Sequence, residues 1–204
     1  MTYSTHSFFK EIKHHPNLSK YCRLDKTTLP RAYEGKNKIQ AILLGADPTN
    51  DGISRDKGLK DLEYAFGINS VFEKYFFNPH LMNLKKLYLS KDDVYIQNLC
   101  RNYFTEQTSK NKGWEHIANL WLKHLKEELS ILPLTTPILA TAEKIFIILT
   151  NNKIEARTLY ESPKKFLPLY SESLQRNVYP LYRHPKYYLS GWENYKNYLL
   201  TKLK

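Results

Sequence analysis

The sequence predicts a single α/β domain, built on a central, mostly parallel four-stranded sheet flanked by helices on both faces. Short apolar runs, which are typical of buried strands, alternate with stretches whose apolar residues recur at helical spacing. The chain has 204 residues, the length of one domain, and 42% of them are hydrophobic, which is enough for a core. Strands separated by helices indicate βαβ units and a sheet covered on both faces.

Each element is predicted from its own stretch of sequence. Residues 1–38 are expected to form an N-terminal helix, over Ser7–His15 and closed by Pro16, followed by a polar connector. A short apolar run ending at a Gly predicts a buried strand over Ile39–Leu44, and strand-like sequence predicts three more, over Val94–Leu99, Thr136–Ala140 and Val178–Tyr182. Helical spacing predicts further helices within Asn69–Leu89 with a division at Pro79, along the face from Trp114 to Leu129, after Ala140, and from Ser190 to Leu203.

The composition excludes several classes of protein. No run of about 18 apolar residues is present, and residues 1–15 lack the apolar centre of a secretory signal, so we expect a cytoplasmic protein without a membrane partner. Cys22 and Cys100 are too few for a disulfide framework, and the seven His form no ligand motif. We therefore expect no metal and no other cofactor. We also expect a monomer.

The formal net charge of +11 favours a polyanionic partner such as nucleic acid. The alternative is that lysines on helix faces only keep the protein soluble. The 28 aromatic residues (16 Tyr, 9 Phe and 3 Trp) strengthen the nucleic-acid prediction slightly, because exposed rings can stack on bases, although most of them are expected in the core.

In a parallel α/β sheet the functional site is expected at the carboxyl ends of the strands. The first predicted strand runs into a short loop, Gly45-Ala46-Asp47-Pro48-Thr49, in which glycine permits close backbone approach and Asp47 offers a carboxylate. The second strand ends at Asn98, whose amide has the acceptor and donor that suit a base edge. The fourth leads to His184. The alternatives are that Asp47 caps a plain turn and that Asn98 bonds its own loop backbone.

Taken in order, these segments resemble the motifs of the uracil-DNA glycosylase superfamily. Gly45-Ala46-Asp47-Pro48 is similar to the loop that carries the family's catalytic Asp, and Tyr64-Ala65-Phe66-Gly67 is similar to the segment whose Phe stacks on a flipped base. The strand ending at Asn98 resembles the one that carries the base-reading Asn. His184-Pro185 resembles the family's second motif.

The resemblance implies a role for each matching residue. Asp47 would position the water and stabilise the cationic sugar, and His184 would donate a hydrogen bond to the departing base. The implied base-binding residues are Gly45, Ala46, Pro48, Thr49, Phe66 and Asn98. The implied DNA contacts are Arg183, Lys186, Tyr188 and Leu189, with Leu189 entering the duplex where the base is flipped out. The family needs no metal.

Two departures from the family pattern affect the expected activity. Thr49 stands where the best-known branch has a Tyr that excludes the methyl group of thymine, and Lys186 stands where the second motif has Ser. The expected function is excision of uracil or a related deaminated base from DNA. Two alternatives stay open: a nucleic-acid-binding protein of the same fold without activity, and an unrelated α/β enzyme acting on a nucleotide.

Overall fold

The computed structural model describes residues 5–49, 60–182 and 192–203. The strands of these residues are β1 Tyr33–Glu34, β2 Ala41–Gly45, β3 Val94–Asn98, β4 Ile138–Ala140, β5 Leu169–Ser171 and β6 Arg176–Pro180. They form one sheet in the order β1-β3-β2-β4-β6-β5. The helices are α1 Thr5–His14, α2 Glu73–Phe76, α3 Asn78–Lys86, α4 Trp114–Glu128, α5 Glu143–Thr150, α6 Ala156–Glu161, α7 Pro163–Phe166 and α8 Trp192–Leu200.

The α/β class and the single domain are confirmed, but the prediction of a four-stranded sheet is wrong. The four predicted strands are present as β2, β3, β4 and β6, and they are parallel to one another. Two further strands extend the sheet at its edges, and each is antiparallel to its neighbour. The sheet is therefore mixed and has six strands.

The two edge strands lack the apolar run that marks the central strands in the sequence. β1 has two residues and lies inside the segment predicted to be a polar connector. β5 has three residues and forms a hairpin with β6, in which Ser171 pairs with Arg176. β4 is equally short, but all three of its residues are apolar and buried, whereas β1 and β5 are only partly buried and contain polar residues, so no apolar run indicates them.

Burial explains why the central strands are predominantly apolar. Every residue of β2, β3 and β4 is buried, and successive side chains of a strand point to opposite faces. Both faces of these strands are therefore covered by the rest of the protein, as in other parallel sheets. The predicted core face of α4 is also confirmed, since Trp114, Ile117, Trp121 and Leu125 are buried.

The segment between β2 and β3 is divided as its proline predicts. α2 ends at Phe76, and α3 begins at Asn78 with Pro79 in its first turn. Proline is tolerated there because the first amides of a helix have no partner within the helix. None of the described helices combines the length and the apolar character needed to cross a membrane.

The order of the strands places a crevice at one edge of the sheet. β2 has β3 on one side and β4 on the other, so the connection after β2 and the connection after β3 run in opposite directions across the sheet. Gly45, the last residue of β2, pairs with Asn98, and Leu44 pairs with Ala140. Ligands of open α/β sheets bind at such a point, beyond the carboxyl ends of the strands.

Candidate functional site

A cavity of about 240 Å³ lies at the carboxyl ends of β2, β3 and β4. It brings together the sequence-predicted site residues Gly45, Ala46, Asp47, Pro48, Thr49, Phe66 and Asn98. Its remaining lining is Leu62, Phe76, His80, Thr141 and Ala142. The predicted catalytic His184 and the predicted DNA contacts Arg183, Lys186, Tyr188 and Leu189 lie outside the described residues.

The loop after β2 is held in place by the neighbouring strands. The Leu99 amide donates to the Gly45 carbonyl at 2.7 Å, and the Cys100 amide donates to the Ala46 carbonyl at 2.9 Å. On the other side, both the amide and the hydroxyl of Thr141 donate to the Leu44 carbonyl, the hydroxyl at 2.9 Å. The ladder of hydrogen bonds thus continues past the end of β2 and positions Asp47.

Three donors surround the Asp47 carboxylate. The Thr49 amide donates to Oδ1 at 2.9 Å, which forms a local turn. The Thr108 hydroxyl and the Trp114 indole Nε1 both donate to Oδ2, at 2.6 and 2.8 Å. The Thr49 hydroxyl accepts a hydrogen bond from the Phe104 amide at 3.0 Å, so this residue also ties the loop to the segment after β3.

Burial dominates the electrostatics of Asp47. Loss of hydration raises the pKa of this carboxyl above its ordinary value, and the hydrogen bonds from Thr108, Thr49 and Trp114 oppose that rise. Burial also raises the pKa of the nearby Cys100 thiol well above its ordinary value, with the negative charge of Asp47 as the second cause. Cys100 is therefore a neutral thiol beside the carboxylate.

Gly45 leaves space for two cavity-lining side chains to meet. A Cβ atom at this position would lie 2.3 Å from Oδ1 of Asn98 and 2.5 Å from Cζ of Phe66. Asn98 is 3% exposed, and its side-chain amide forms no hydrogen bond with any described residue. A buried amide normally has partners within the protein, so this amide is available to a ligand in the cavity.

Phe66 has a strained backbone at the cavity wall. Its φ of 57° lies in the left-handed region, which is a genuine outlier for a bulky residue. The ring packs edge-to-face against His80 and Phe77, with centroid distances of 5.0 and 6.5 Å. Such strain persists where the surrounding structure determines the conformation, and here it places an aromatic ring beside Asn98.

The sequence alone did not indicate Thr108, Trp114 and His80. Trp114 was predicted as a core residue of α4, which it is, but its indole N–H also reaches Asp47. His80 is 5% exposed, and it lies in the cavity wall next to Phe66. Helical periodicity reports which face of a helix is buried, and it carries no information about which polar atom a buried side chain meets.

The described residues offer no metal site, since no three His, Cys, Asp or Glu side chains among them group closely enough to hold an ion. A scan of the chain against protein-family models gives no match, and a comparison with curated proteins gives none either. The class of protein is therefore defined by its fold and by the geometry of its cavity. The chain is an α/β protein whose strand-end cavity combines a partly buried carboxylate, an amide that is unpaired among the described residues, and an aromatic ring.

Proposed function

We propose that the cavity receives a base flipped out of DNA and that the protein hydrolyses the N-glycosidic bond of uracil or a related deaminated base. The observation that carries this proposal is the meeting of Asp47, Asn98 and Phe66 around one cavity of about 240 Å³. These are the three residue types that base excision requires: an anion for the sugar, an amide for the base edge and a ring for the base face.

Asn98 and Phe66 supply the recognition of the base. The amide of Asn98 has both a donor and an acceptor, as does the edge of uracil, and it is held without a partner among the described residues. The Phe66 ring and the Asn98 amide lie next to each other, since a Cβ atom on residue 45 would be 2.5 Å from the ring and 2.3 Å from the amide oxygen. Stacking on such a ring contributes about 1–3 kcal/mol per base, which offsets part of the cost of flipping.

Asp47 supplies the charge for the reaction. The bond between C1′ of the sugar and the base nitrogen breaks, and its electron pair leaves with the base. A water oxygen then bonds to C1′ and loses a proton to the carboxylate or to solvent. The sugar is cationic in between, and a carboxylate about 4 Å away stabilises it by about 4 kcal/mol at an effective dielectric constant of about 20. That corresponds to about 10³-fold in rate.

The proposal also covers the contacts with DNA, the cellular location and the oligomeric state. His184 would donate to the departing base, and Arg183, Lys186, Tyr188 and Leu189 would contact the DNA. The net charge of +11 supports a DNA partner. The free thiols of Cys22 and Cys100 support a reducing, cytoplasmic location, and we propose a monomer.

Incubation with oligonucleotides tests the proposal. Each duplex or single strand carries one uracil, hypoxanthine or xanthine, and alkaline cleavage detects any abasic product. We expect cleavage by the wild type and by Asp25→Asn, which removes an exposed carboxylate paired with Arg23. Asp47→Asn is expected to lose the activity.

Other outcomes of the same experiment identify the alternatives. Binding that weakens steeply with salt, without cleavage of any base, would favour an inactive nucleic-acid-binding protein. Failure to bind DNA at all would contradict both the glycosylase and the DNA-binding hypotheses, and it would favour a nucleotide-processing enzyme.

A further inference from the structure

Two side chains from outside the loop hold one oxygen of Asp47. Oδ2 accepts from the Thr108 hydroxyl at 2.6 Å and from Trp114 Nε1 at 2.8 Å, whereas the described donor to Oδ1 is the Thr49 amide at 2.9 Å. A carboxylate oxygen has two lone pairs. Both lone pairs of Oδ2 are therefore engaged, whereas Oδ1 accepts only from Thr49 among the described residues.

The two donors to Oδ2 are themselves fixed. Trp114 is fully buried and begins α4, so its indole is carried by a rigid element. Lys144, in the first turn of α5, donates from Nζ to the Thr108 carbonyl at 2.7 Å. The same Nζ lies 5.7 Å from the centroid of a Trp114 ring. Lys144 thus joins the segment before α4 to the start of α5 through the two residues that donate to Asp47.

We propose that Trp114 and Thr108 are positioning residues, which direct Oδ1 of Asp47 toward the sugar and the water and keep the carboxylate ionised in its buried setting. The inference rests on the proposed function, because that reaction requires a negative oxygen facing the cavity. It adds two residues that touch neither base nor sugar and act through Asp47 alone.

The ionisation of Asp47 gives this inference a measurable consequence. Hydrogen bonds to the charged form lower the pKa of a carboxyl, whereas burial raises it. Removal of one donor therefore raises the pKa of Asp47 further. The other titratable or charged groups of this region are Cys100, whose pKa the Asp47 charge raises, Lys144, which donates to Thr108, and His80, which lines the same cavity. The substitution Trp114→Phe leaves all three in place.

The test compares two tryptophans of α4. Trp114→Phe removes the indole donor to Asp47 and keeps an aromatic side chain. Trp121→Phe is the matched control, because Trp121 is equally buried and its Nε1 donates to the neutral Asn102 amide at 2.7 Å. The readout is the titration of the Asp47 carboxyl carbon by NMR, assigned with Asp47→Asn. We expect the pKa of Asp47 to rise by about one unit in Trp114→Phe and to stay unchanged in Trp121→Phe.

A second pair of variants tests the hydroxyl donor. Thr108→Val should raise the pKa of Asp47 in the same direction, and Thr108→Ser should restore it. In single-turnover assays, the acidic limb of the pH–rate profile should move with the pKa. An unchanged Asp47 pKa in both Trp114→Phe and Thr108→Val, or an equal rise in Trp121→Phe, would overturn the inference. A wild type that excises no base would contradict the proposed function instead, while the titration would still decide the ionisation of Asp47.

Discussion

A methyl group at Gly45 has no space in the structure, and its effect on the cavity can be estimated from two distances. In Gly45→Ala the new carbon would lie 2.3 Å from Oδ1 of Asn98 and 2.5 Å from Cζ of Phe66. Non-bonded heavy atoms prefer separations of about 3.5–4.0 Å. Each of the two side chains must therefore move by about 1 Å, or the end of β2 must shift by a similar amount.

The displacement is expected to affect activity more than stability. A misplacement of about 1 Å at an active site can reduce the rate about 10²-fold, and here both the amide and the ring are displaced. Overpacking of a core position costs about 1–3 kcal/mol, which most domains tolerate without unfolding. Gly45→Ala is therefore expected to remain folded, to bind undamaged DNA like the wild type and to excise uracil about 100-fold more slowly.

Single-turnover excision rates on a uracil duplex, together with thermal unfolding, measure the two effects separately. Gly35→Ala is the matched control, because its Cβ would lie 2.3 Å from the Asp92 carbonyl oxygen but outside the cavity lining. The control should lose stability and keep its rate once it is folded. The reasoning is refuted if Gly45→Ala excises uracil within twofold of the wild type, or if the NMR signals of the Asn98 amide do not change.

Three further variants test other parts of the structure. Thr49→Tyr narrows the cavity, so single-turnover excision of thymine from a G·T mismatch should fall more than excision of uracil, and equal losses would argue against a specificity role. Because the pKa of Asp47 is raised in the folded state, its ionisation destabilises the fold. As the pH rises from 3 to 7, urea unfolding should show the wild type losing stability relative to Asp47→Asn, and a constant difference would contradict this. Arg176→Met should lower the free energy of unfolding by about 3 kcal/mol, because the buried guanidinium donates to four carbonyls. Those of Leu129 and Pro133 keep a backbone amide donor, but those of Leu132 and Thr136 would lose their donor among the described residues. The exposed Arg157→Met should cost little by the same measurement.

The central part of the fold is predictable from the sequence because burial on both faces removes polar residues from the strands. β2 and β4 are Ala-Ile-Leu-Leu-Gly and Ile-Leu-Ala, and each stands out against its polar surroundings. β1 and β5 owe their conformation to pairing with longer strands, which is a long-range interaction that two or three residues do not encode locally. For this reason the sequence does not predict β1 and β5.

The candidate site likewise contains residues that the local sequence indicates and residues that only tertiary packing brings there. Asp47 and Asn98 were predictable because each follows an apolar strand, and the parallel sheet brings strand ends together. The contact of Trp114 with Asp47 was not predictable, because 67 positions separate the two residues. The helical spacing of Trp114 is already explained by its place on the buried face of α4. His80 likewise follows a proline in a helix, and only the packing of α3 beside Phe66 brings it to the cavity.

Two features of the cavity are locally unfavourable, and the proposed function accounts for both. A carboxylate whose pKa is raised by burial destabilises the fold at neutral pH, and a phenylalanine with a φ of 57° costs about 1–3 kcal/mol of backbone strain. Asparagine in place of Asp47 would remove the first cost, and glycine in place of Phe66 would relieve the second. An enzyme that stabilises a cationic sugar beside a stacked base needs both, and it needs them next to each other.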